Sequence, residues 1–487
     1  MATDVQKKTQ PKRLDTRMIH LAVVAAFILG FGHLPVFSTV TPYGMKALGC
    51  FLGIIYGWVF VDMLWTALMV FVLVPFTGLI SANGLITAGF GNVVVMQVCF
   101  ILMLFSVMTS TKIPSKITNR LLGLSICQGR PWVFFGVLMF ATWLVSMIAG
   151  GIVTLIIVFP ILISVCQDYQ IERYGKSSTF LFMGVLLADC IGQMCIPVRG
   201  MPLLLMAMYQ AMDPTAVFPT GLYMVFAISF TLLICLAALL LMKYVLRVDL
   251  SQLLQIDTAN FSGEKNRFTR REQVILWDIV LVLALMILQT TFPLQAVQNF
   301  LGGFGSIGLC FVGMMVVLWL KVDGQPITSM SEMAKGLSWD TLLTVAAMQP
   351  VLGFISADES GIKAMLSDLC GPLVAHLSPF VFCLFIIVVC GLLTNVLNNA
   401  ACCLMFFPLV MIYAPQLGIS TIGVVSVLII MSHVAFATPA ASFYSLIAFG
   451  YTDWIKASNF MRWAFLILVP LLFFGAIVGY FLQLLLF

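Results

Sequence analysis

The chain has 487 residues, of which 62% are hydrophobic and only 9% charged, with a formal net charge of +5. Its mean hydropathy is +1.10. Soluble globular domains carry about 25% charged residues, so this composition excludes that class and predicts an all-α polytopic membrane protein. The thirteen cysteines form no CxxC pair and no cluster with His20, His33, His376 or His433. They read as small apolar helix residues, not as a metal centre or disulfide framework. No Walker motif, basic nucleic-acid patch or cluster of acids, bases and metal ligands is visible, which argues against an ATP-driven pump, a nucleic-acid binder and a membrane enzyme. No cofactor is expected.

In chain order, Met1 to Arg17 is a polar, basic tail. The first apolar span follows without a small-residue cleavage site and reads as a retained helix. About 20 apolar residues cross a bilayer. On that basis eleven helices are predicted, over 18–36, 44–60, 63–80, 90–111, 179–212, 220–245, 275–291, 305–321, 340–357, 421–450 and 461–485. Segments 132–165 and 379–414 are also apolar, but each has a small or polar centre, Ala149-Gly150-Gly151 and Asn398-Asn399. Each reads as two crossings or as one re-entrant hairpin; the polar tips favour hairpins, because a tip ending at mid-membrane needs small or amide residues. The stretch 112–130 reads as an amphipathic segment at the inner surface, held by lipid headgroups. Gly303-x-Gly305-x-x-Gly308 matches a dinucleotide fingerprint only by letters and reads as a loop, since no strand precedes it. Asp358-Glu359 read as solvated charges in an outer turn.

Basic residues set the orientation. With the N-terminus in the cytoplasm and the C-terminus outside, 21 of the 24 Lys and Arg fall on the inner side, as the positive-inside rule requires. Lys46 and Lys363 fall outside, and Arg199 falls within the membrane. The predicted location is the cell inner membrane.

The two halves share an order of features. Gly89 matches Gly336, and Trp132–Pro160 matches Phe380–Pro408 at an offset of 248, with five of 29 pairs identical. Each half offers a hairpin followed by a long helix broken at Pro197 or Pro439. Residues 18–43 stand outside the repeats, 44–246 form the first repeat, 247–273 a polar cytoplasmic linker and 274–487 the second repeat. Five helices per repeat turn the second copy upside down, the arrangement of secondary transporters, whose sites lie between broken helices at the midplane.

Four elements are therefore expected to meet: both hairpin tips and both breaks. The first half supplies Gly150, Gly151, Thr154 and the break Pro197-Val198-Arg199-Gly200; the second supplies Asn398, Asn399 and the break Thr438-Pro439-Ala440-Ala441-Ser442. Half-helix N-termini suit carboxylates, glycine lets backbone approach a ligand, and asparagine serves anion or cation. A charge at membrane depth usually faces a cavity or partner, so Arg199 reads as an anion clamp or a structural ion pair. Asp189 reads as a proton carrier, as the counter-charge of Arg199, or as facing a helix N-terminus. His433 reads as a proton carrier or a satisfied interior histidine. Asn398-Asn399 read as ligands or as a tip cap.

These residues resemble the divalent anion:sodium symporter family within the ion transporter superfamily, over about residues 40 to 487. In that family each tip carries Ser-Asn-Thr ten residues before a proline, and each broken helix carries Gly-Thr-Pro-Pro-Asn. Here Gly150-Gly151-Ile152 and Asn398-Asn399-Ala400 take the tip positions, while Ile196-Pro197-Val198-Arg199 and Thr438-Pro439-Ala440-Ala441 take the break positions. The resemblance implies an elevator-type symporter of di- or tricarboxylates, dimeric, with a scaffold and a mobile unit in lipid. It also implies a sodium site at each tip. Arg199 stands where the family has asparagine and would repel sodium, so the first sodium site is expected to be absent, leaving coupling to the second half or to protons. The rival readings are an inorganic-anion carrier or a sodium/proton antiporter of the same superfamily, the latter expected to carry acids at its cation site, and a non-transporting sensor or scaffold.

Overall fold

The computed structural model describes residues 16–197, 200–212, 218–261, 266–292, 294–374, 376–397 and 399–487. The chain begins with α1 (Thr16–Ala25), which continues through π and 3-10 turns to His33. Then come α2 (Pro42–Phe60), α3 (Met63–Leu73), α4 (Ala82–Phe90), α5 (Val93–Thr109) and α6 (Ile113–Leu122). A helix pair, α7 (Pro131–Ala149) and α8 (Gly151–Asp168), precedes α9 (Lys176–Gly192), α10 (Gly200–Met212) and α11 (Thr220–Leu240). The chain continues with α12 (Arg270–Thr291), α13 (Gln295–Trp319), α14 (Met330–Ala334), α15 (Trp339–Ser356), α16 (Ile362–Val374), α17 (Pro379–Leu393), α18 (Asn399–Gln416), α19 (Thr421–Met431), α20 (Phe443–Gly450) and α21 (Ala457–Leu486). Between α13 and α14, β1 (Lys321–Val322) pairs antiparallel with β2 (Gln325–Pro326).

Polar residues just outside the apolar runs start these helices. Thr41, Asp62, Ser81, Ser338, Ser378, Ser420 and Ser442 each accept a backbone N–H three residues on, satisfying a donor that hydrocarbon could not. Thr269 and Glu272 form a full capping box at the start of α12.

Eight described helices are long and apolar enough to cross a membrane, or nine with the bent pair Gln295–Gly305 and Ile307–Trp319. Segments 179–212 and 421–450 are absent from that set because each divides in two where it was expected to break. The arms α7 and α8 have 19 and 18 residues, or about 28 and 27 Å. Each is thus nearly as long as the hydrocarbon core is thick. By length each arm could cross on its own, and the turn between them packs Gly151 against Asp189 and Tyr444.

Helices α9 and α19 occupy the interior: every residue from Ser178 to Gly192 and from Gly423 to Met431 is buried. A helix with no polar face can be placed only there or in lipid. The two halves cross-pack reciprocally. Gly89, before α5, lies so close to α15 that a Cβ would stand 2.5 Å from Ala346 O, and Gly336, before α15, is pressed in the same way against Ser106 of α5. Ser106 also donates to Met333 O at 3.0 Å.

One expectation is corrected and one narrowed. Of the four basic residues in 112–130, Lys112, Arg120 and Arg130 are exposed, but Lys116 of α6 is buried, pairs with Glu272 at 2.5 Å and donates to Arg267 O at 3.0 Å. The capping-box glutamate supplies a protein partner that the local sequence does not show. The corrected expectation is the Gly303–Gly308 stretch, which is not a loop but lies within α13, kinked at Gly305 (φ 61°).

Candidate functional site

The first hairpin turns at Gly150, whose φ of 85° and ψ of 157° belong to glycine. Gly150 ends α7 and precedes α8 without a side-chain cap, so the first N–H groups of α8 take no bond from a capping side chain. A Cβ on Gly151 would stand 2.5 Å from Tyr444 Cε1 and 2.7 Å from Asp189 Oδ2. Thr154 donates to Gly150 O at 2.8 Å. Ser146, on the facing arm, donates to Asp189 O at 2.8 Å.

Asp189 is fully buried, and neither carboxylate oxygen meets a hydrogen-bond partner among the described residues. Gln193, one turn further along α9, is 7% exposed, and its Nε2 is likewise unpartnered among the described residues. Spaced i, i+4, these two share a helix face. Pro197 is buried in the turn that follows, and Gly200 opens α10. Arg199 lies outside the described residues, as does Asn398.

The second hairpin is built by a residue pair that the sequence reading passed over, Thr394-Asn395. Asn395 lies at the end of α17 and reaches the break after α19. Its amide donates to Gly391 O at 2.8 Å and Val434 O at 2.9 Å, while its carbonyl oxygen accepts from Phe436 N at 3.1 Å and Ala437 N at 2.8 Å. A broken helix strands carbonyls on one side and N–H groups on the other, and a primary amide can satisfy both at once. Thr394 donates to Ser432 O at 2.8 Å and lies 2.7 Å from Asn399 Oδ1. Thr438 donates to Asn395 O at 2.5 Å. Expectation had placed the amide at Asn398-Asn399 by counting from Pro408. The missed signal is the offset of 248, which aligns Thr394 with Ser146; both hydroxyls bond a backbone carbonyl of the broken helix beside them.

At α20, Ser442 caps its own helix by accepting from Ser445 N at 3.1 Å, and both serine hydroxyls reach Ala435 O at 3.0 Å. Cys190 Sγ also approaches Ala435 O, at 3.9 Å. The structure therefore joins Gly151, Asp189, Tyr444 and the Ala435–Ser442 segment into one locus spanning both halves. Pro439 lies half-buried in that segment. His433 is 5% exposed, with Nδ1 3.3 Å from both Ile429 O and Ser432 Oγ, a satisfied position beside the break.

The family model described as "Citrate transporter" (CitMHS) matches residues 51–435, a span that includes the first tip, Asp189 and Asn395 but ends before Phe436, Ala437 and the second break. No curated protein matches. Among solved structures, the YdaH transporter of Alcanivorax borkumensis superposes with a TM-score of 0.56 at 14% identity, covering 82% of this chain and 86% of that one; the likeness is one of fold. The chain belongs to the citrate transporter family and is a multi-pass membrane secondary transporter of the ion transporter superfamily.

Proposed function

We propose that this protein carries citrate or a closely similar di- or tricarboxylate across the cell inner membrane by an elevator-type movement, with the tip of α7–α8 as the carboxylate seat. The observation that carries this reading is the uncapped start of α8 at Gly150-Gly151, with Gly151 buried against Asp189 and against Tyr444 of α20. Free N–H groups and the positive end of a helix dipole favour an oxyanion there. Arg199 and the start of α10 at Gly200 supply a second clamp, bidentate through the guanidinium. Asn398 and Asn399 close the site from the second half in this reading.

Asp189 is the coupling group in this reading. A substrate carboxylate at the Gly151 tip stands beside a second carboxylate, and like charges at contact distance repel. Binding then requires a proton or a cation on Asp189. Because the sequence puts the fixed cation Arg199 in the neighbouring break, where it would repel sodium, a proton serves better than sodium.

The repeats α2–α11 and α12–α21 are taken as inverted, with the N-terminus cytoplasmic and the C-terminus outside. The pairs α7–α10 and α17–α20 form the mobile unit, sliding on a dimeric scaffold of the earlier helices. The test is uptake of labelled citrate into proteoliposomes under imposed pH or sodium gradients. The reading expects accumulation driven by an inward proton gradient without sodium. Strict dependence on sodium would contradict the coupling, and transport of inorganic anions in preference to citrate would contradict the substrate class.

A further inference from the structure

Gln193 follows the last residue of α9, just before the first break, and has no role in the carboxylate seat as described above. Its backbone is still helical (φ -67°, ψ -11°). The side chain is 7% exposed, and its Nε2 meets no hydrogen-bond partner among the described residues. Buried N–H groups are nearly always paired, because leaving one unanswered is costly. An orphan donor beside a binding site therefore calls for a ligand.

Two neighbours on the same helix fix where that donor points. Helical residues advance by about 100° around the axis. Gly192 faces α7: a Cβ on it would stand 2.5 Å from Trp143 O and 3.0 Å from Trp143 Cα. Cys190, about 160° round from Gly192, faces the second break, with Sγ 3.9 Å from Ala435 O. Asp189 and Gln193 fall at about 60° and 100°, between those two directions. The contact of Asp189 Oδ2 with the Gly151 tip, 2.7 Å from a Cβ built there, agrees with this placement. Gln193 points into the same wedge between the first hairpin and the second break, about 6 Å further along the axis of α9.

A neutral primary amide suits that place. It offers N–H donors to a carboxylate oxygen without adding a charge beside Asp189. A span of about one helical turn from the tip matches the short carbon chain between the terminal carboxylates of citrate. A monocarboxylate seated at the tip would leave the amide unanswered, and sites built to hydrogen-bond a substrate group discriminate strongly against analogues that lack it. We propose that Gln193 is a specificity-determining residue of this site. Its Nε2 donates to a second carboxylate of the substrate whose first carboxylate sits at Gly150-Gly151, which selects di- and tricarboxylates over monocarboxylates. This rests on the reading of that tip as the carboxylate seat.

The test measures half-inhibiting concentrations of citrate, tricarballylate (which lacks the hydroxyl) and butyrate against labelled citrate uptake into proteoliposomes. Gln193→Met keeps an unbranched side chain of similar volume and removes the donors. The preference for citrate over butyrate should fall at least about tenfold, the low end for a hydrogen bond to a charged group. Butyrate itself should be unchanged, and tricarballylate should follow citrate. Gln193→Asn, which withdraws the amide by one methylene, should fall between the two. Gln483 of α21 is the control, buried with both amide atoms unpartnered among the described residues; Gln483→Met should leave the preference as it is. A purely structural role for Gln193 would weaken all three ligands alike, and that result would overturn the proposal. So would an equal loss in Gln483→Met, or a loss for citrate without one for tricarballylate, which would assign the amide to the hydroxyl. If the unaltered protein carries no citrate, the seat and this proposal fall together. Citrate uptake with an unchanged preference in Gln193→Met would leave the seat standing and remove Gln193 from it.

Discussion

Asp189 and Gly151 face each other so closely that a single methyl on the glycine would stand 2.7 Å from the aspartate's Oδ2. The tip of one hairpin thus rests on a buried carboxylate in the neighbouring broken helix. That contact joins backbone able to take an anion to a group able to take a proton.

Gly151→Ala tests the closeness of this approach. The new methyl meets Tyr444 Cε1 at 2.5 Å as well as Asp189, so the tip must retreat. Overpacking of this kind costs about 1–3 kcal/mol. Citrate uptake should fall at least about tenfold, in line with 1.4 kcal/mol, while the protein still elutes as a folded species on size-exclusion chromatography. Uptake within a factor of about two of the unaltered protein would show that the tip does not need this contact.

Asn395→Ala should be far more damaging than Asn399→Ala. The first removes four bonds and leaves the carbonyls of Gly391 and Val434 and the amides of Phe436 and Ala437 in need of partners. The second removes the Asn399 end of a bond with Thr394. Each buried polar group left unpaired costs about 1–3 kcal/mol. Thermal unfolding in detergent should show a much larger loss of Tm for Asn395→Ala. Equal shifts for the two variants would contradict the bracing role.

The Lys116–Glu272 pair bolts α6 to the start of α12, with both side chains about 10% exposed. Removing one partner of such a buried pair costs about 3–5 kcal/mol, whereas an apolar pair of similar volume is often neutral. Lys116→Met should therefore lower Tm markedly, and Lys116→Met with Glu272→Met should recover part of it. Recovery stays partial because Glu272 also accepts from Thr269 N at 2.8 Å in the capping box. A double variant no more stable than the single one would argue against the ion pair as the fastening.

Much of this fold is legible in the letters, and the physical reason is lipid. A bilayer demands long apolar runs, so the crossings announce themselves, and glycine or proline inside them marks the breaks at Gly150, Pro197 and Pro439. What the letters hide depends on contacts distant in sequence. Lys116 looks like a headgroup-facing cation until Glu272, 156 positions away, is brought to it. Asn395 looks like an ordinary tip residue next to the more conspicuous Asn398-Asn399, because its partners at Val434 to Ala437 are backbone groups with no sequence signature. The 321–326 hairpin was missed although Asp323-Gly324 is a turn signal, since it sits between segments read only for hydropathy.

The central claim is that an anion seated at the Gly151 tip is linked to a proton on Asp189. The most direct measurement is citrate affinity of the purified protein across pH, by calorimetry, for the unaltered chain and for Asp189→Asn. The ligand's own titration is common to both proteins and cancels in the comparison. The account predicts that affinity of the unaltered chain rises relative to Asp189→Asn as pH falls, because the proton that relieves the repulsion becomes available. It also predicts that Arg199→Ala weakens citrate at every pH. Parallel pH profiles for the unaltered chain and Asp189→Asn would contradict it.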